Sequence, residues 1–189
     1  MVKELQKILK NRTKHRVELE NFRPSAVLVP VFYKNGEEHL LFTVRNDKVR
    51  HHKGEVCFPG GAYDPPDATL EKTALRECED EIGIPEDSVE VIGEMDDLIT
   101  PTFYRISPFV GIIPYPYSLK INHREIAEVI EIPFSHFTEE KYLRLEYFEY
   151  FGESFEIPFY SWRHQTIWGA TARIVRQLVE LKKVGKEKK

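Results

Sequence analysis

Cysteine is nearly missing from this chain, and so is any apolar run long enough to cross a bilayer. The two cysteines, Cys57 and Cys78, fall inside segments that read as regular structure, which excludes a disulfide-stapled scaffold and points to a reducing compartment. No apolar stretch follows the start in the manner of a secretory signal, and no membrane association is expected. An excess of positive charge is missing too. The formal net charge is -4, which argues against a nucleic-acid binder but leaves room for a local basic patch facing a small anion. The stretch from Lys3 to Arg16 has the charge of an organellar transit segment, but Glu4 interrupts it and hydroxylated residues are few, so the cytoplasm is the expected location. Repeats, low-complexity blocks and Gly/Ser- or Pro-rich linkers are absent as well. With 41% hydrophobic and 31% charged residues, the 189 positions are expected to form one domain with a substantial core.

What is present has clear periodicity. Val2, Leu5, Ile8 and Leu9 recur at helical spacing and predict an amphipathic helix over 3–11. The apolar runs Ala26 to Tyr33 and His39 to Arg45 flank Asn35-Gly36, a strong hairpin-turn signal. Glu55 to Phe58 predicts a short strand ended by Pro59-Gly60-Gly61. A helix is predicted over Ala68 to Glu81, with Asp67 as N-cap, Gly83 as the residue that ends it and Pro85 beyond. Leu70, Ala74, Cys78 and Ile82 form its apolar stripe. Strands are predicted near Val89–Gly93, Phe109–Ile113 and Val129–Ile132, then an aromatic hairpin over 142–160 turning at Gly152, then a helix over 170–183. Strands interspersed with single helices predict an α/β (α+β) architecture, a mixed sheet flanked by helices. The apolar residues of the first helix and of the aromatic hairpin are candidates for a homodimer interface or for core.

The informative segment is Arg76-Glu77-Cys78-Glu79-Asp80-Glu81-Ile82-Gly83-Ile84. At about 100° per residue, Glu77 and Glu81 point within roughly 40° of each other, with Asp80 expected on the same side. Glu81 lies along an edge of the apolar stripe, where a carboxylate faces the body of the protein and needs a partner. Magnesium takes hard oxygen ligands, often one or two carboxylates, and completes its shell with water and substrate phosphate. The competing reading is an acid-rich surface helix with an ordinary Arg76–Asp80 ion pair. The preceding Phe58-Pro59-Gly60-Gly61 adds weight to the metal reading, because paired glycines permit close backbone approach to a ligand, although a plain turn would use them too.

Gly61 through Ile84 resembles the Nudix box, a glycine followed downstream by Arg-Glu-hydrophobic-x-Glu-Glu-x-Gly-hydrophobic. Asp80 stands where that pattern has glutamate, and the loop from Gly61 to Arg76 is one residue longer than the commonest form, with Asp67 near the place usually held by glutamate. Upstream, Leu41-Phe42-Thr43-Val44-Arg45, Arg50, Gly54 and Phe58-Pro59-Gly60-Gly61 resemble the motif of coenzyme A diphosphatases, with Phe42 and Asn46 as mild departures. Asp64-Pro65-Pro66-Asp67, Thr73-Ala74-Leu75-Arg76-Glu77 and Ile167-Trp168-Gly169-Ala170-Thr171-Ala172 are similar to that group too, so the resemblance spans about residues 25–182.

The resemblance implies a Nudix-type α/β/α sandwich and a hydrolase that cuts coenzyme A or its thioesters into adenosine 3′,5′-bisphosphate and 4′-phosphopantetheine, or the acyl form of the latter. It implies Mg2+ or Mn2+, held by Glu77, Glu81 and Asp80, which would neutralise the diphosphate and make water a better nucleophile. Gly60 and Gly61 would lie against substrate or cation, with the Gly60 carbonyl a candidate ligand. Arg76 would orient a box carboxylate. Glu125 is the favoured general base, with Glu128 or a box carboxylate as alternatives, since reach to the proton defines the base. Arg45, Lys48, Arg50, His51, His52 and Lys53 form a basic stretch suited to phosphates, or else a solvated loop. Among them Arg45, Arg50 and Lys53 are the substrate-binding candidates, while adjacent histidines rarely face one ion. A small nucleotide substrate is the expected partner. The rivals are an enzyme acting on ADP-ribose, a dinucleotide or a nucleotide sugar, and a nucleotide-sensing module without turnover.

Overall fold

The computed structural model describes residues 2–48, 53–150 and 153–187. The chain runs α1 (Val2–Asn11), β1 (Arg23–Lys34), β2 (Glu37–Arg45), β3 (Val56–Cys57), β4 (Gly60–Ala62) and α2 (Leu70–Ile82). It continues through β5 (Glu90–Glu94), β6 (Leu98–Ile99), β7 (Tyr104–Ile112), β8 (Ile126–Pro133), β9 (Leu143–Tyr150), β10 (Glu153–Trp162), β11 (Gln165–Ile167) and α3 (Gly169–Glu187).

The hairpin between β1 and β2 forms at Asn35-Gly36, whose φ values of 53° and 79° give the twist that a two-residue connection needs. Around it grows a mixed eight-stranded sheet. β1 pairs parallel with β7 from Arg23↔Tyr104 to Val31↔Ile112, and β2 pairs antiparallel with β8. β3 extends the far end of β2, and β4 lies antiparallel to the first half of β1, with Ala26 opposite Gly61. β5 and β6 both pair with β7. A second, three-stranded sheet has the order β11-β10-β9.

Side-chain alternation splits the core into two layers. Ala26, Leu28 and Phe32 of β1 pack with Ala74, Leu75, Cys78 and Ile82 of α2, whereas Val29 and Val31 face Leu5 and Leu9 of α1 and Ile174, Val175 and Leu178 of α3. Helices therefore cover both faces, as the expected α/β/α sandwich requires, and this is why β1 and β2 read as almost unbroken apolar runs. No helix among the described residues is long and apolar enough to cross a membrane.

Two local expectations change. α2 begins at Leu70 under an N-cap Thr69, whose Oγ1 accepts the Lys72 N–H at 3.1 Å, not under Asp67. Asp67 closes a one-turn 3-10 helix, Pro65–Asp67, and its carboxylate is committed to Arg76. Tertiary pairing overrides the local capping preference here. The strands β4, β6 and β11 were not expected, since two or three residues carry no readable period. The other end of α2 follows expectation: Gly83 has φ 76° and its N–H donates to the Glu79 carbonyl at 2.8 Å. The turn expected at Gly152 lies outside the described residues.

Candidate active site

α2 delivers its carboxylates to three different environments. Glu81, on the edge of the apolar stripe, is buried at 3% relative exposure. The Gly60 backbone N–H donates to its carboxylate, but Oε2 has no hydrogen-bond partner. Burial, and then the charge of Glu77, pushes Glu81 up to about 8 against the opposing pull of Arg45. Glu77 is partly buried one turn earlier and is also pushed up, chiefly by desolvation, although Arg76 pulls the other way. Asp80 departs from expectation. It sits 100° round the helix from Glu81, its side chain is 61% exposed, and it meets Arg76 Nη1 at 3.2 Å. Among the described residues no three carboxylate, imidazole or thiol side chains are already drawn together in a cluster able to hold a metal ion.

The diglycine turn is shaped around this helix. A Cβ on Gly61 would stand 2.5 Å from both Cδ and Oε1 of Glu77, so the missing side chain is the space that the carboxylate occupies. At Gly60 a Cβ would stand 2.4 Å from the Ala26 carbonyl oxygen and 2.6 Å from Val27 Cα, so this residue must be glycine for β4 to pair with β1. The residues fit a divalent cation on two counts: a buried carboxylate oxygen lacks a partner, and a buried and a partly buried acid, Glu81 and Glu77, share one edge of the helix beside a backbone turn.

Arg76 organises the neighbouring acids. Its Nε donates to Asp67 Oδ1 at 2.6 Å, and its Nη2 donates to Asp67 Oδ2 at 3.1 Å and Glu77 Oε1 at 2.9 Å. The Asp67 carboxyl, held mainly by Arg76 with further help from the Thr73 hydroxyl, drops to about 2. Because the folded state lowers this value from the ordinary 3.8, the stabilisation is present above that point and is lost as pH falls through it toward about 2. Asp67→Asn should therefore destabilise the protein by about 1–3 kcal/mol at pH 7, since it leaves a half-buried guanidinium short of an anion. Urea unfolding at pH 7 and pH 2.5 checks this, and a gap between the two proteins that persists unchanged at the acid end would refute it.

The turn before β8 closes the site from the other side. Backbone N–H groups of Lys120 and Asn122 donate to the carbonyls of Ile82 and Glu81, both at 2.9 Å, so the turn is strapped to the end of α2. Gly83 permits this, since a Cβ there would meet Lys120 Cβ at 2.6 Å. Glu125 thereby comes near enough for its charge to raise both Glu77 and Glu81, and Asn122 Nδ2 donates to its Oε1 at 3.2 Å. Asn46 N–H donates to the Glu125 carbonyl at 2.7 Å and Asn46 Nδ2 to that of His123 at 2.8 Å, binding the end of β2 to the same turn. Arg45 lies at an irregularity in the β2–β8 ladder, with its Nε buried and lacking a hydrogen-bond partner. Lys53 is exposed in the turn that returns to β3, whereas Arg50, His51 and His52 lie outside the described residues. Glu128 is exposed on β8, opposite Val44. Sequence reasoning missed the fastening roles of Asp67, Asn46 and Asn122. Only Asp67 carried a signal, through its place in the box loop.

With the fold and these acids in view, the class is defined: residues 22–156 match the NUDIX domain family, and the chain belongs to it. It is an enzyme of the Nudix hydrolases, which act on phosphorus anhydrides of small nucleotide-like molecules and generally use divalent metal ions. A protein of Photorhabdus laumondii described as uncharacterized Nudix hydrolase NudL is 37% identical over 166 residues, covering 85% of this chain and 86% of that one. The protein of the same description from Citrobacter koseri is 39% identical over 162 residues, covering 85% and 83%. Among solved structures, a MutT/nudix family protein from Enterococcus faecalis aligns with TM-score 0.59 at 15% identity over 97% of this chain and 70% of its own. A NUDIX hydrolase from Alicyclobacillus acidocaldarius aligns with TM-score 0.56 at 19% identity over 86% and 93%. At such identities these two likenesses speak for the fold.

Proposed function

We propose that the enzyme hydrolyses the diphosphate bond of coenzyme A or its thioesters, releasing adenosine 3′,5′-bisphosphate and 4′-phosphopantetheine or its acyl form. The observation that carries the chemistry is the buried Glu81, with one oxygen unpartnered, beside Glu77 over the diglycine turn. Glu77 and Glu81 are the residues that would hold Mg2+ or Mn2+, and Asp80, exposed and paired with Arg76, would be an additional ligand or a holder of metal-bound water. When bound, the cation supplies charge neutralisation of the diphosphate and activation of water.

This chain's own residues do the remaining work. Arg76 fixes Glu77 against Gly61 while Asp67 fixes Arg76, so the carboxylate is held in place before substrate arrives. Arg45, with a buried Nε still to be satisfied, is suited to a phosphate oxygen. Glu125, held by Asn122, takes the proton from the attacking water, whose oxygen joins one phosphorus as the bridging oxygen leaves with the other phosphate. The choice of coenzyme A rests on the sequence pattern from Leu41 to Gly61, in which Arg45, Arg50 and Lys53 precede Gly60-Gly61. A single catalytic domain in the reducing cytoplasm belongs to the same reading.

Mass spectrometry of products after incubation with coenzyme A and Mg2+ tests this directly. Both half-molecules should appear, and EDTA should abolish them. Turnover of ADP-ribose, a dinucleotide or a nucleotide sugar with coenzyme A left intact would transfer the assignment to that substrate. Tight binding of coenzyme A without product would favour a sensing role.

A further inference from the structure

Glu125 stands on a turn that has little of its own to hold it. His123, Arg124 and Glu125 are all exposed, between Asn122, strapped to the Glu81 carbonyl, and Ile126, buried at the start of β8. Bonds within the turn run back to Asn122. Its carbonyl accepts the N–H groups of Glu125 and Ile126, at 3.0 and 2.9 Å, and its Oδ1 accepts that of Arg124 at 3.2 Å. Among the described residues, the two hydrogen bonds that reach 123–125 from outside the turn both come from Asn46. Exposed polar segments with few apolar contacts open easily, so these two bonds decide how steadily Glu125 is carried.

Asn46 is a firm anchor for them. Arg45, the last residue of β2, is bonded on both flanks: it lies opposite Ile126 of β8, its N–H donates to the Glu55 carbonyl, and its carbonyl accepts the Gly54 N–H, both at 3.0 Å. The ladder with β8 has just slipped, from Val44↔Glu128 to Arg45↔Ile126, which leaves Ala127 without a counterpart on β2. Regular pairing thus stops one residue short of Glu125. Asn46 continues it with a main-chain donor to the Glu125 carbonyl at 2.7 Å and a side-chain donor to that of His123 at 2.8 Å. The amide is held from its other end as well, since Oδ1 accepts the Lys48 N–H at 3.0 Å. This residue is one of the two departures from the pattern that 41–61 resembles, so the resemblance assigns it no role.

We infer that Asn46 is a positioning residue for hydrolysis, fixing the turn that carries Glu125 to the stretch of backbone that carries Arg45. The inference rests on the reading of Glu125 as the base that takes the proton from the attacking water. A base works only within hydrogen-bond reach of its proton, and a displacement of about 1 Å costs up to about 100-fold. With Arg45 on a phosphate oxygen and Glu125 on the water, the two must keep one spacing. Asn46 sets it.

Asn46→Ala removes the two side-chain bonds and keeps the main-chain one. It should lower kcat about tenfold, change KM less than about twofold, and lower the melting temperature by no more than about 4 °C. A cycle with Glu125→Gln then separates positioning from a general loosening of the fold. Glu125→Gln alone should lower kcat about 100-fold or more. Adding Asn46→Ala to it should cost less than about twofold further, because a base already removed cannot be misplaced. The cycle is run on coenzyme A with Mg2+, or on whichever of ADP-ribose, a dinucleotide and a nucleotide sugar is cleaved if coenzyme A stays intact. The choice among these leaves the inference unchanged, since it concerns the attacking water. An unchanged kcat in Asn46→Ala, a raised KM in its place, or a further tenfold loss in the double variant overturns the inference and leaves Glu125 as the base. Glu125→Gln as active as wild type, or a wild type that cleaves none of the four, overturns both.

Discussion

Glu81→Gln should lower kcat by about three orders of magnitude or more and, in the absence of metal, make the protein more stable at pH 8. The two effects have one cause. Glu81 is buried with Oε2 unsatisfied and Glu77 nearby, so its ionised form is disfavoured until something positive arrives. An isosteric amide removes the charge that has no partner and, with it, the charge that a cation would seek. Losses on this scale are expected when a group that stabilises developing charge in the transition state is removed.

The pH dependence follows from the direction of the shift. Glu81 titrates near 4.5 when unfolded and at about 8 when folded, so between those values the folded state holds a proton that the unfolded state has released. Stability then falls as pH rises through that window and levels off above it. For the metal-free wild type this amounts to about 1–3 kcal/mol, of the size expected for an uncompensated buried charge. Denaturant unfolding in EDTA at pH 5.5 and pH 8 should show the fall in wild type and its near-absence in Glu81→Gln. Magnesium should raise the wild-type melting temperature more at pH 8 than at pH 5.5. Equal stability of the two metal-free proteins at pH 8 would mean that Glu81 is not the strained acid described here.

Much of this site was legible from helical geometry. The stripe Leu70, Ala74, Cys78 and Ile82 placed the inner face of α2, and a wheel drawn on it put Glu81 at the buried edge, where it is found. The same wheel was too coarse for Asp80, whose direction is settled by solvent and by Arg76. Local rules pointed to Asp67 as N-cap where the structure uses Thr69, because both residue types cap well and Asp67 is drawn off by an arginine nine positions along the chain. The approach of Glu125 to α2 was not legible in periodicity at all. It depends on backbone bonds from Lys120 and Asn122 to the last carbonyls of the helix, contacts that carry no side-chain signature. Sequence patterns report which face is apolar, whereas the meeting of the β8 turn, α2 and the end of β2 is a property of the assembled layers.

The adjacent glycines should fail in opposite ways when each is changed to alanine, Gly61→Ala in catalysis and Gly60→Ala in folding. At Gly61 the new methyl would stand 2.5 Å from the Glu77 carboxylate, which is the free end of a flexible side chain and can move away. The fold survives, but Glu77 leaves the place where Arg76 holds it, and a displacement near 1 Å in a catalytic group costs about 100-fold. At Gly60 the methyl would stand 2.4 Å from a main-chain carbonyl and 2.6 Å from Val27 Cα, neither of which can rotate out of the way. Relief requires β4 to part from β1, removing the Ala26↔Gly61 and Val27↔Gly60 pairing and the Gly60 N–H from Glu81. A destabilisation of about 2–4 kcal/mol is expected, typical of severe overpacking plus lost ladder bonds. Urea midpoints and turnover measured on both variants separate the cases: Gly61→Ala should unfold within about 1 kcal/mol of wild type yet be nearly inactive. Gly60→Ala should lose stability first, with activity following the folded fraction. An active Gly61→Ala would show that Glu77 has room to work elsewhere, and the diglycine cradle would then be no part of the site.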